Sequence, residues 1–188
     1  MMEKNIMIVG VGGQGTLLTS RIIGKVAMRS GYDVKISEVH GMAQRGGSVV
    51  TFVRFGERVF EPVVEEGCAD VIVAFERLEA LRYAHFLKKD GVMIVNDCKI
   101  EPMTVVTGAA KYPDGILEKL SASHEVNSLD GQKIALELGN SKVLNSAVLG
   151  RAAKFIGFEA DEWLSVIEET VPPKTVDINK AAFLRGYN

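Results

Sequence analysis

The sequence is short of the residues from which redox and metal centres are usually built. Of its 188 residues, two are cysteine (Cys68 and Cys98) and three are histidine (His40, His85 and His124). The cysteines lie far apart and no C-x-x-C occurs. Zinc sites and iron–sulfur clusters each need about four closely arranged ligands, so the chain cannot supply a cysteine-ligated cluster, and no metal site is expected. Both cysteines read as reduced core residues in a reducing compartment. No apolar run reaches the roughly 18 residues that would suggest a membrane span. Charge of one sign is not in excess either: 22 Lys and Arg against 24 Asp and Glu leave a net charge of −2, which gives no electrostatic reason to expect nucleic acid or an anionic membrane as partner. Met1 to Gly10 lacks the long apolar core and small-residue cleavage site of a signal peptide, so a cytoplasmic location is expected. No G-K-[ST] follows a glycine-rich turn, which argues against a Walker-type nucleotide hydrolase.

What is present is ordinary for a globular domain: 47% apolar and 24% charged residues, in a length that suits one domain, 1–188, rather than two. Short, nearly uninterrupted apolar runs dominate the first half. Asn5–Gly10 (NIMIVG), Ala69–Phe75 (ADVIVAF) and Gly91–Asn96 (GVMIVN) read as buried parallel strands. Tyr32–Val39 (YDVKISEV) reads as a second strand. Ser48–Phe55 reads as a third, with "GE" as a turn and Arg58–Val64 returning as its antiparallel partner. Met103–Gly108 (MTVVTG) reads as a further short strand. Helical spacing appears over Thr16–Ser30, Glu76–Leu87, Ile116–Leu120 and Ser128–Leu138, then through most of the chain from Val143 onward, where Trp163 reads as a packing anchor. The fold class expected is α/β: a mostly parallel, Rossmann-like sheet with a β-hairpin and a helical C-terminal segment.

Two glycine-rich loops stand out. Gly10, Gly12 and Gly15 match G-x-G-x-x-G between a strand and a helix, with Gly13, Gln14 and Thr16 among them. Glycine lets the backbone approach a phosphate, and the helix that follows offers unpaired N–H groups. A dinucleotide site also needs an acid near the end of the second strand, and Glu38 lies near that place. The alternative is a tight strand-to-helix turn and nothing more. The second loop, His40 to Ser48 (HGMAQRGGS), carries Gln44, an arginine fork at Arg45 suited to phosphate or carboxylate, the pair Gly46–Gly47, and the Ser48 hydroxyl. In a parallel sheet the two loops share the carboxyl rim, where open α/β sheets bind ligands. An ion pair for Arg45 and a structural hydrogen bond for His40 are the plainer readings. Glu76 and Arg77 either line the same rim or cap the next helix.

With GVGGQG and SEVHGMAQRGGSV both on the page, the sequence resembles the gamma domain of the 2-oxoacid:ferredoxin oxidoreductases. The EVHGMAQRGG form is similar to the smaller, beta subunit of indolepyruvate:ferredoxin oxidoreductase, and ADVIVAFERLEALR and INKAAFLRG fit the same family. The resemblance implies a subunit that is inactive alone. Its complex would decarboxylate a 2-oxoacid, join the acyl group to coenzyme A, and pass electrons to ferredoxin. It further implies that thiamine diphosphate, its magnesium ion and the iron–sulfur clusters sit on a larger partner chain. The absence of a cysteine cluster, and of a G-D-G followed by an asparagine pair, agrees with that division. Coenzyme A handling is the role it implies for the two loops, with Gly10, Gly12, Gly13, Gln14, Gly15, Thr16, His40, Gln44, Arg45, Gly46, Gly47 and Ser48 as contact candidates and no catalytic residue on this chain. A loop pressed against the partner subunit remains the alternative for His40–Ser48, and a stand-alone NAD-dependent enzyme or a non-catalytic scaffold the alternatives for the chain. Asn145 and Asn179 resemble family positions and read as helix caps or buried hydrogen bonds.

Overall fold

The computed structural model describes residues 2–41 and 46–188. Within them a six-stranded sheet runs in the order β2-β3-β1-β4-β5-β6. Its strands are β1 (Lys4–Val11), β2 (Asp33–His40), β3 (Ser48–Gly56), β4 (Ala69–Ala74), β5 (Leu87–Asn96) and β6 (Glu125–Leu129). β1, β4, β5 and β6 pair in parallel, whereas β3 lies antiparallel between β1 and β2. Helix α1 (Thr16–Arg29) follows β1, and α2 (Arg77–Tyr83) follows β4. The short α3 (Met103–Val106), α4 (Ile116–Ser121) and α5 (Gly131–Glu137) come next, and α6 (Leu144–Ile156), α7 (Ala160–Thr170) and α8 (Val176–Tyr187) complete the chain.

The period of two along each strand divides the core into two layers. Ile6, Ile8, Val71, Val73 and Ile94 face α1, α6, α7 and α8, while Met7, Val9, Ile72, Met93 and Val95 face α2 and α4. Trp163 is fully buried between Phe158 and Phe183 and donates its indole N–H to the Gly157 carbonyl at 3.0 Å, the packing role its helical spacing suggested. Helices α6 and α8 approach backbone to backbone through a reciprocal pair of glycines. A Cβ on Gly150 would lie 2.0 Å from the Phe183 carbonyl oxygen, and one on Gly186 1.9 Å from that of Ala147.

The α/β class, the mostly parallel sheet and the helical C-terminal segment are as expected, with several local corrections. The hairpin is formed by β2 and β3, one strand earlier than the sequence suggested. Arg58–Val64 is not a strand: the Arg54 guanidinium takes the carbonyls of Glu61 and Val63 at 3.3 and 3.1 Å, and Asp33 takes the Val59 N–H at 2.9 Å. Side chains thus claim the backbone groups a ladder would use. Met103–Val106 is one helical turn started by Pro102, because proline sets the dihedral of a first turn and β-branched residues do not forbid one. The helix from Glu76 stops at Tyr83, and β5 starts at Leu87. Ser128 belongs to β6, and α5 begins after Asp130, whose carboxylate caps it at the Lys133 N–H (2.8 Å).

Candidate functional site

The inserted β3 creates the site. Because it runs antiparallel beside β1 in a register that sets Ser48 against Val11, its amino end meets the turn after β1. The Gly12 N–H donates to the Gly47 carbonyl at 2.9 Å, and the Gly46 N–H points back to the Gly12 carbonyl at 3.5 Å. The two glycine loops therefore lie on one rim and are stitched together. The rim placement was expected from neighbouring parallel strands. It arises instead because β2 and β1 run the same way with a reversed strand between them.

The first loop is held from below. Gln14 accepts the Val11 N–H at 2.7 Å with Oε1 and donates from Nε2 to the Phe75 carbonyl at 2.9 Å, so its amide ties the end of β1 to the end of β4. Gly13 and Gly15 have φ of 104° and 88°, in the region that favours glycine. Gly15 is the N-cap of α1, has no side-chain cap, and is followed by no acid in the first turn, which leaves N–H groups and the positive end of the helix open to an anion. Gly10 packs against Gln14 and Phe75, and Thr16 is buried. Of this set, Gly12, Gly13, Gly15 and Thr16 line, together with Glu38 and His40, a crevice of about 400 Å³. His40 is exposed, and its Nδ1 lies 3.1 Å from the Gly41 carbonyl. Gln44 and Arg45 lie outside the described residues.

Ser48 faces the other way. Its hydroxyl donates to Glu79 Oε2 at 2.5 Å and lies 3.4 Å from the Tyr83 hydroxyl. Glu79 is 5% exposed and Glu76 1%. Burial, the largest influence, pushes the Glu79 carboxyl above its ordinary value, with the Ser48 hydroxyl and Arg82 pulling back. Glu76 caps α2 by accepting the Glu79 N–H at 3.0 Å, and it also receives the Ile100 N–H at 3.1 Å and the Tyr112 hydroxyl at 2.5 Å. Burial, and then that bond to the carboxylate, raises the Tyr112 phenol well above its usual range. Arg77 pairs with Asp97. Helix capping is thus the role of Glu76. The buried Glu79, which the sequence did not single out, anchors the second loop from beneath. Its only sequence signal was a carboxylate in the first turn after an apolar strand.

On the far side of the first loop is a second crevice of about 510 Å³, lined by Gly13, Gln14, Gly15, Cys98, Lys142 and Asn145 among others. Asn145 is neither a cap nor a satisfied buried amide. It lies in the first turn of α6 with Val143 as N-cap, and its Oδ1 is buried with no hydrogen-bond partner among the described residues. Asn179 does make the buried hydrogen bonds expected of it, accepting from Ser146 Oγ at 2.6 Å and donating to the Thr175 carbonyl at 2.7 Å. No helix among the described residues is long and apolar enough to cross a membrane.

Residues 5–188 match the family described as pyruvate ferredoxin/flavodoxin oxidoreductase. The chain belongs to that family. It is 44% identical to the indolepyruvate oxidoreductase subunit IorB of Thermococcus kodakarensis over 99% of this chain and 95% of the relative. In fold it is similar to the crystal structure of pyruvate oxidoreductase subunit PORC from Thermotoga maritima (TM-score 0.74, 23% identity, 100% of this chain and 96% of that one). It is also similar to part of a 2-oxoglutarate:ferredoxin oxidoreductase from Magnetococcus marinus, solved with 2-oxoglutarate, coenzyme A and succinyl-CoA bound (TM-score 0.75, 16% identity, 99% of this chain and 30% of that one). The family, and with it an oxidoreductase subunit as the kind of protein, is the one the paired loop motifs indicated.

Proposed function

We propose that this chain is the small subunit of an indolepyruvate-type 2-oxoacid:ferredoxin oxidoreductase, and that its rim of two glycine loops receives coenzyme A. The observation that carries the first half is the 44% identity to an IorB subunit along 95% of that subunit's length. The second half is supported by the geometry of the rim. The loops are joined at Gly12 and Gly47, and the uncapped start of α1 and the exposed Gly13 suit a diphosphate. Gly10, Gln14 and Ser48 brace the loops and hold them in shape, whereas Gly12, Gly13, Gly15, Thr16, His40, Gln44, Arg45, Gly46 and Gly47 form the contact set. Thiamine diphosphate, magnesium and iron–sulfur clusters belong to a larger partner subunit in the cytoplasm, and supply the decarboxylation and electron transfer to ferredoxin. This chain positions the thiol that accepts the acyl group.

The test is capture of the partner from native extract on tagged chain, with iron and thiamine analysis of what is retained, followed by arylpyruvate- and coenzyme A-dependent ferredoxin reduction by the complex. One large iron- and thiamine-bearing partner and a coenzyme A-dependent reaction are expected. A chain recovered alone that binds NADH, with the binding lost on changing Glu38, overturns the proposal in favour of a self-sufficient dinucleotide enzyme. A complex that assembles but binds coenzyme A unchanged when Gly13 becomes Val makes the rim an interface only.

A further inference from the structure

Two buried carboxylates stand at the start of α2, and they reach opposite ways. Glu76 is held by three donors: the Glu79 and Ile100 N–H groups and the Tyr112 hydroxyl. Glu79 reaches to the second glycine loop. Its Oε2 takes the Ser48 hydroxyl at 2.5 Å, and Ser48 follows Gly47, whose carbonyl receives the Gly12 N–H. Its Oε1 takes Arg82 Nε at 3.1 Å. A buried carboxylate is costly, and a glutamine amide could hold Ser48 without that cost. The elements packed around this layer, β1, β4, β5 and α4, turn apolar side chains to it, among them Val9, Ala74, Val95 and Ile116, while Glu118 and Lys119 of α4 are exposed. Arg77 is engaged by Asp97. Burial, the largest influence, raises the Glu79 carboxyl, Ser48 and Arg82 lower it, and the neighbouring Glu76 raises it.

The donors decide where a proton goes. The Arg82 Nε–H already occupies Oε1, so a proton added to Glu79 settles on Oε2 and points at Ser48 Oγ. Ser48 then accepts that bond and turns its own proton to the Tyr83 hydroxyl, 3.4 Å away. The loop keeps its tie in both states, and what changes is one negative charge beside it. Resting on the coenzyme A reading above, we infer that Glu79 is a positioning residue of the rim whose protonation is linked to ligand binding. The phosphorylated ligand binds best beside the neutral acid, and its binding draws a proton from the buffer onto Glu79. An anion on the loops disfavours the carboxylate, and the coupling is reciprocal. Affinity is therefore highest below the raised Glu79 value and falls as pH rises through it. His40 is the other titrating group described on the rim, and Arg45 keeps its charge throughout. Both are unchanged in a Glu79 variant.

The experiment is calorimetric titration of the complex with coenzyme A in two buffers of different ionisation heat, at pH values from the ordinary glutamate range upward. The enthalpy difference between the buffers counts the protons taken up on binding. Glu79→Gln keeps the size and hydrogen bonding of the side chain without its charge. The wild type is expected to take up more protons than this variant, and to lose about threefold or more in affinity relative to it across the series. Arg82→Gln, at a position 51% exposed, removes a charge that favours the carboxylate, and is expected to move the uptake to higher pH. Equal uptake by the wild type and Glu79→Gln, whatever their affinities, overturns the proton link and leaves the coenzyme A reading standing, as does an uptake that Arg82→Gln leaves in place. A wild-type complex that binds no coenzyme A at any pH overturns both.

Discussion

Gln14 and Phe75, far apart in sequence, are joined by one side-chain hydrogen bond of 2.9 Å that locks the first glycine loop to the end of β4. The same amide satisfies the Val11 N–H. Gln14→Leu would leave that N–H without its acceptor in a part-buried place. A loss of about 1–3 kcal/mol is expected, read as a fall of several degrees in unfolding temperature. An unchanged melting temperature would show that the loop is held by other contacts.

Gly13 and Gly15 share positive φ but differ in surroundings: among the described residues nothing lies within 4 Å of a Cβ on Gly13, whereas one on Gly15 meets Asn145 at 2.9 Å. Alanine at 13 should cost only left-handed strain, on the order of 1–2 kcal/mol. Alanine at 15 should cost more, because α6 must also shift. Chemical denaturation of the two variants checks the order, and equal losses would mean that α6 yields freely.

Glu79 gives the fold a pH signature. Its carboxyl is raised above 4.5 chiefly by burial, so the folded state holds the proton more tightly than the unfolded chain does. The stability present below the ordinary glutamate range is lost as pH rises through the raised value. Glu79→Gln keeps an acceptor for Ser48 and cannot ionise. Its denaturation midpoint should decline less than that of the wild type as pH rises above the ordinary glutamate range. Parallel curves would show that Glu79 does not titrate there.

The contact between α6 and α8 depends on two absent side chains. Gly150→Ala or Gly186→Ala would force a methyl into a carbonyl about 2 Å away, and a loss of at least about 1–3 kcal/mol is expected for either. The single tryptophan, Trp163 of α7, stacks on Phe183 of α8, so its fluorescence reports a displacement of α8. Variants with wild-type stability and emission would mean that the helices have room to part.

The apolar runs of β1, β4 and β5 were legible because both faces of each are buried, so the sequence shows them as unbroken hydrophobic stretches. β6 was not legible: Glu125–Leu129 (EVNSL) fully buries only Leu129, and nothing in such a stretch distinguishes an edge strand from a loop. The direction of β3 was likewise hidden. Ser48–Gly56 reads as a strand under any pairing, and only the side-chain ties of Arg54 and Asp33 decide that its partner is β2 rather than the residues after it. The site divides in the same way. Glycines and Arg45 raise the expectation of a loop for an anion, because that chemistry needs those residue types. The support from Glu79, and the unmet amide of Asn145, come from distant segments and leave no local pattern.

The close seat of α8 on α6 has a consequence for biosynthesis. The loop after β1 is made well before its supports: the wall it forms is braced by Asn145 of α6, and α6 is braced through Gly150 and Gly186 by α8. A nascent chain therefore carries its first glycine loop without the brace that shapes it until both helices have been made. The wall takes its final shape only after Gly186 has emerged.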